Sequence, residues 1–277
     1  MPDQYPPVPP ENRKIYRFPR LGLLLFAVNL LFGVKRSVSR DSQWIMRVNP
    51  PPPHVIGLEN VPPRGPFVLV ANHYERPGLQ MHFIGIAIAA VVAERREESR
   101  DIHWVITNQW EGRRFGPIPI PVWLTRWTFG RVARVYGFVA MPQSEQQVAG
   151  RAAALKQAAA IVAARVRDGK RIEGEPVGMM PEARGKGVLV EATPGAGLFL
   201  QLLNRRGAPI LPAAAYEEPG RLVLRFGEPF DPLVPRRASR EEQDRLIREQ
   251  TMVAIGRLLP ESMWGFYAEA IRRSFER

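Results

Sequence analysis

The chain has 277 residues, 45% of them hydrophobic, which is enough to bury one sizeable core without requiring a second domain. Its 39 basic against 27 acidic residues leave a formal charge of +12, favouring polyanionic partners such as anionic lipid headgroups, an acidic substrate or nucleic acid. The absence of cysteine excludes disulfides, thiolate metal sites and a cysteine nucleophile, and His54, His73, His82 and His103 lack the HExxH spacing of a zinc hydrolase.

Residues 1–12 carry prolines at positions 2, 6, 7, 9 and 10 and are expected to form a disordered or polyproline leader. Leu21 to Val34 is apolar except for Asn29, with Arg13, Lys14, Arg17 and Arg20 before it and Lys35, Arg36 and Arg40 after it. As a helix this run rises about 21 Å against a hydrocarbon core of about 30 Å. It is therefore expected to lie in the plane of a membrane or insert shallowly. A buried core helix and a cleaved signal peptide are the competing assignments. Against the signal peptide, a long proline-rich leader precedes the run and no A-x-A-like site directly follows it. Pro50 to Pro53 close this leader and membrane-associating segment, 1–53, and the folded domain is expected over 54–277.

His54 to Gly65 reads as an extended lead-in to a strand over Phe67 to Ala71. A helix follows within Leu79 to Arg96, a strand over His103 to Thr107, a helix within Val122 to Arg134 and a strand over Gly137 to Met141. Ser144 to Arg167 places Val148, Ala152, Leu155, Ala159 and Val162 at helical spacing, with Ser144 as N-cap. Then come a strand over Val177 to Met180, a helix over Gly195 to Arg206, strands over Pro209 to Ala215 and Leu222 to Phe226, and an amphipathic terminal helix over Arg240 to Leu259. Strands alternating with helices predict an α/β fold, a single αβα-type domain around a mixed, largely parallel sheet.

Open α/β sheets bind ligands beyond the carboxyl ends of their strands, and three such ends finish in polar or glycine-containing turns: Asn72-His73, Pro181-Glu182-Ala183-Arg184-Gly185, and the run after Pro212. A histidine at the end of a buried strand has the rigid support and solvent access that general-base catalysis needs, although a hydrogen-bonded structural histidine also occurs there. Arg184 can grip a phosphate in bidentate fashion, with Glu182 positioning the arginine or a substrate hydroxyl; a solvated surface ion pair is the bland counterpart.

Taken in order, these blocks resemble the phospholipid and glycerol acyltransferase family, typified by the 1-acylglycerol-3-phosphate acyltransferases, over roughly residues 54–230. Gly57-Leu58-Glu59-Asn60-Val61-Pro62, followed by Gly65-Pro66-Phe67 to His73, is similar to the family's approach to an Asn-His-x4-Asp block. Met180-Pro181-Glu182-Ala183-Arg184-Gly185 is similar to its Phe-Pro-Glu-Gly-Thr-Arg-Ser block, shortened by one residue. Gly195-Ala196-Gly197-Leu198 through Ala208-Pro209-Ile210-Leu211-Pro212 is similar to its glycine-alanine helix and Val-Pro-x-x-Pro strand.

The resemblance implies that His73 takes a proton from a lipid hydroxyl, which attacks a thioester carried by coenzyme A or acyl carrier protein. Asn72 would support the turn, and Glu182, Arg184 and Gly185 would meet a lysophospholipid or glycerol-phosphate acceptor. It implies no cofactor beyond the acyl-CoA or acyl carrier protein co-substrate, no metal, and a place on an anionic membrane surface at the cytoplasmic face of the inner or plasma membrane. No nucleic-acid-binding motif is present.

Two departures stand out. The family's aspartate, which orients the histidine ring, falls on Gly78. Glu75 could turn back onto the ring, a backbone carbonyl or another carboxylate such as Glu182 could hold it, or the chain could bind lipid or acyl carrier without transferring anything. The middle block falls at Tyr136 to Met141 and continues with Pro142 and Gln143 in place of an arginine, which leaves Arg76 and Arg184 as candidates for an anion. Trp104, Trp110, Trp123 and Trp127 suit an acyl groove, a membrane interface or core packing.

Overall fold

The computed structural model describes residues 14–97, 101–112, 114–142, 147–167, 170–183, 185, 187–235 and 237–276. A seven-stranded sheet runs in the order β1 (His54–Ile56), β11 (Arg221–Phe226), β10 (Ile210–Glu218), β2 (Val68–Ala71), β9 (Val177–Met179), β3 (His103–Thr107) and β6 (Val139–Met141). Neighbours are parallel throughout except β10 with β11, which form a hairpin around Pro219-Gly220. Every residue of β2 and β9 is buried. Such uninterrupted apolar runs belong in a parallel sheet covered on both faces, and the fold is accordingly α/β with a mixed, largely parallel sheet.

The chain leaves β2 through α3 (Met81–Arg95) to reach β3, and moves on through α4 (Val122–Tyr136) to the edge strand β6. It returns through α5 (Val148–Val162) to β9, then leaves through α6 (Ala196–Asn204) to β10 on the far side of β2. With right-handed crossovers a reversal of direction changes the face, so α3 and α4 cover one side and α5 and α6 the other. α1 (Arg20–Phe32) packs on α4, α2 (Val38–Arg47) on α3, and α7 (Arg240–Gly256) on α6 and α8 (Ala268–Phe275). Two small hairpins, β4 (Arg114–Phe115) with β5 (Ile118–Pro119) and β7 (Arg165–Arg167) with β8 (Lys170–Ile172), lie outside the main sheet. The neighbours β2 and β9 send their connections to opposite faces. That makes the gap between them a topological switch point, with a crevice beyond the strand ends.

Several expectations change. Tyr16 enters the main core and α2 packs along α3, so packing continues through the stretch before residue 54. The leader at 1–12 lies outside the described residues, as does the N-cap expected at Ser144. The helix expected to reach Arg167 stops at Val162, because residues 165–167 instead form β7, paired with β8. α1 buries only Leu30 and is therefore not a core helix, and no described helix is long and apolar enough to cross a membrane. β10 runs on past Pro212 to Glu218, so Pro212 is not a strand end.

Candidate functional site

His73 follows β2 with Asn72 between them, and the Pro181 loop follows β9 with Met180 between them, so the two face each other across the switch point. Asn72 continues the β2–β10 ladder with its side chain: Nδ2 donates to the Ala215 carbonyl at 2.9 Å and Oδ1 accepts from the Ala215 N–H at 2.7 Å. The amide thus imitates one more residue of strand and fixes where His73 leaves the sheet. Glu182, only 4% exposed, accepts from the backbone N–H of His73 at 2.6 Å and from that of Val190 at 2.9 Å. Burial pushes its carboxyl up to about 7, against the pull of those two donors. Gly187 donates to the His73 carbonyl at 3.0 Å. At Gly185 a Cβ would lie 2.9 Å from the His73 Cβ and 3.0 Å from its carbonyl oxygen, so the loop closes on the histidine only because no side chain intervenes. Arg184 lies outside the described residues.

Glu182 therefore grips the histidine's backbone and not its ring. The ring Nδ1 is enclosed and has no hydrogen-bond partner among the described residues, which leaves Nε2 as the nitrogen that can face the groove. Burial lowers the ring's pKa, while the Glu75 carboxylate and the nearby Gly185 and His73 backbone oppose that shift. An imidazole held below its ordinary pKa is unprotonated at neutral pH, the state a general base requires.

At Gly78 the backbone takes φ +85°, and the N-terminal strap occupies the space beside it. The Tyr16 N–H donates to the Gly78 carbonyl at 2.7 Å, and a Cβ on Gly78 would lie 3.2 Å from the Lys14 carbonyl oxygen, Ile15 Cγ1 and Arg76 Nη1. Arg76 faces inward: Nε and Nη2 donate to the two oxygens of Glu217 at 2.6 and 2.7 Å, and Nη1 donates to the carbonyls of Lys14 and Pro77. The Tyr74 hydroxyl donates to the same carboxylate. The expectation that Arg76 is a candidate for holding an anion is corrected by this buried pairing.

A mostly apolar groove of about 2600 Å³ lies over the ends of β2, β9, β3 and β6, lined by His73, Glu75, Phe26, Phe129, Met180 and Leu198 among others. Its volume exceeds the several hundred Å³ typical of compact small-molecule pockets, which suits an extended ligand. Trp104 reaches it from the core, where it packs against Gly85 and Gly178, whereas Trp123 and Trp127 are exposed. Arg151, in the first turn of α5, donates to the Pro142 carbonyl and also lines the groove. A guanidinium thus stands at the β6 end although that strand carries none, and sequence reasoning missed it because Arg151 sits nine residues downstream, on a helix. Glu217 was missed as well; a glutamate near the end of a strand carries no signal of its partner.

No family model and no curated protein matches the sequence. Among solved structures the chain is similar to the 1-acyl-sn-glycerophosphate (LPA) acyltransferase PlsC from Thermotoga maritima, at 16% identity over 93% of this chain and 95% of that one, with a TM-score of 0.40. Likeness of that depth bears on neither chemistry nor substrate.

Proposed function

We propose that the chain transfers an acyl group from a thioester, on coenzyme A or acyl carrier protein, to the hydroxyl of a lysophospholipid or a glycerol-phosphate-type acceptor. The supporting observation is His73: a ring with a lowered pKa, held at the switch point by Asn72, Glu182 and Gly185 and opening on a long apolar groove. In the transfer, Nε2 takes the hydroxyl proton as oxygen attacks the thioester carbon. The carbon–sulfur bond then breaks, and the thiolate recovers the proton from the imidazolium, so neither a covalent acyl-enzyme nor a metal is needed. Arg151 and Arg184 are the cations proposed to meet charge on the acceptor, and α1 keeps the chain at the membrane surface where such acceptors reside.

A second reading, binding of lipid or acyl carrier without transfer, draws on Gly78 and on the His73 Nδ1, which has no hydrogen-bond partner among the described residues. Loss of the orienting acid in a triad costs on the order of ten-thousand-fold in rate. Release of free thiol from an acyl thioester in the presence of a lysophospholipid separates the two. Transfer predicts turnover by the wild type that His73→Ala reduces at least about a hundredfold. Equal turnover by the variant removes His73 from the mechanism, and tight acyl-thioester binding without wild-type turnover on any acceptor selects the binding reading.

A further inference from the structure

The exposed face of α1 is apolar to an unusual degree: Leu21, Leu24 and Leu31 are more than half exposed, and Phe32 is 78% exposed. This surface continues onto α4. Gly33, the C-cap of α1, faces Arg131 of α4 so closely that a Cβ would lie 3.1 Å from its Nη1. The Arg131 guanidinium covers the ring of Trp127, 5.6 Å from its centroid. One turn earlier on α4, Trp123 is 68% exposed, and Ile118 of the β4–β5 hairpin is 65% exposed.

Charge accompanies this surface. Residues 114–136 contain Arg114, Arg126, Arg131 and Arg134 and no acidic residue, and residues 12–40 contain seven basic residues, of which Arg36 is paired with Asp41. Apolar side chains and tryptophans among cations of a single sign match the boundary of an anionic bilayer, where indole rings sit at headgroup depth and arginines meet phosphate. A protein partner would need a matching acidic and apolar face, whereas a bilayer supplies both at any orientation within its plane.

We infer that α4 and the β4–β5 hairpin form a second bilayer contact, continuous with α1, so that Ile118, Trp123 and Trp127 dock on anionic lipid. Leu23 and Phe26 of α1 and Phe129 and Val132 of α4 line the groove. The two docking elements therefore wall part of the groove, and, on the acyl-transfer proposal, that places an acyl chain's path from the bilayer toward His73 between them. The docking face stands independently of the chemistry proposed for His73.

The test uses the full chain with vesicles of phosphatidylcholine, alone or mixed with phosphatidylglycerol, some carrying brominated acyl chains that quench nearby indoles. Vesicle binding should require the anionic lipid at moderate salt. Brominated chains should quench the wild type, and Trp123→Phe with Trp127→Phe should remove most of that quenching even though four other tryptophans remain. Ile118→Ser with Trp123→Ser should weaken partitioning at least about tenfold, with an unchanged circular dichroism spectrum. Unchanged quenching in the double phenylalanine variant overturns the proposal, as does wild-type partitioning of the serine variant. A concentration-dependent dimer that the serine variant abolishes, without vesicle binding by the wild type, also overturns it in favour of contact between copies of the chain. His73→Ala should bind vesicles as the wild type does, which keeps failure of the docking face distinct from failure of the acyl-transfer proposal.

Discussion

Gly78 sits where the resemblance implies an aspartate, and its surroundings explain why restoring the acid does not restore a dyad. The residue is at φ +85°, and its Cβ position is bounded by the Lys14 carbonyl, Ile15 and the Arg76 guanidinium. Gly78→Asp should therefore lose roughly 1–3 kcal/mol of stability and leave the transfer rate no higher, as read by thermal denaturation and thiol release; a faster variant would show that the strap yields to a new carboxylate. His73 titrates below its ordinary value because it is buried, with the Glu75 charge working in the other direction. As pH rises the ring loses its proton, so kcat/KM should climb along an acid limb with its midpoint below about 6.5. Glu75→Gln removes the opposing charge and should move that limb further toward acid, and a shift toward higher pH would contradict the assignment. In the Pro181 loop, Ala183 holds φ +54°, a left-handed geometry that glycine would adopt freely.

Between elements, His103 clasps the start of β3 to its neighbours. Its Nδ1 lies 2.8 Å from the carbonyl of Gly137, the C-cap of α4, and its Nε2 lies 3.2 Å from Glu175, which precedes β9. The Glu175 contact lies off the line of a good hydrogen bond, so its attraction is mainly electrostatic. Burial disfavours the charged ring, yet Glu175 and the Gly137 carbonyl outweigh it and raise the pKa. A folded-state pKa above the unfolded one stabilises most below about pH 6.5 and loses that contribution as pH rises through the folded value. His103→Gln should therefore cost more stability at pH 5.5 than at pH 8, by under about 1 kcal/mol since Glu175 is partly exposed. Urea midpoints of both proteins at the two pH values measure this, and a gap that widens toward alkaline pH would refute the sign.

On the scale of the whole molecule, the Arg76–Glu217 pair ties together three distant parts of the chain. Glu217 comes from β10, Arg76 and Tyr74 from the turn after His73, and the Lys14 carbonyl from the N-terminal strap. Both charged side chains are 3% exposed, so removing one leaves the other buried and unpaired. Glu217→Gln should cost about 3–5 kcal/mol, a fall of on the order of 10 °C in thermal midpoint, and should loosen the strap and the His73 turn together. Limited proteolysis before residue 20 reports the strap directly, and a variant that melts with the wild type would show the pair to be dispensable.

Local pattern alone was enough to determine the alternation of strands and helices, since β2, β9 and β10 are runs too apolar to lie anywhere but inside a sheet covered on both faces. It also placed His73, Glu182 and Gly185 at the ends of strands, and it marked residues 21–34 as apolar among cations. Which strand ends meet was decided only by the tertiary structure. The Asn72–Ala215 bonds span 143 residues and the Arg76–Glu217 pair spans 141, and no periodicity carries that information. Parallel crossovers bring such residues together through the register of whole elements. For that reason tertiary packing alone turned Arg76 inward, put Arg151 at the end of β6, filled the space beside Gly78 with the strap and left α1 on the surface.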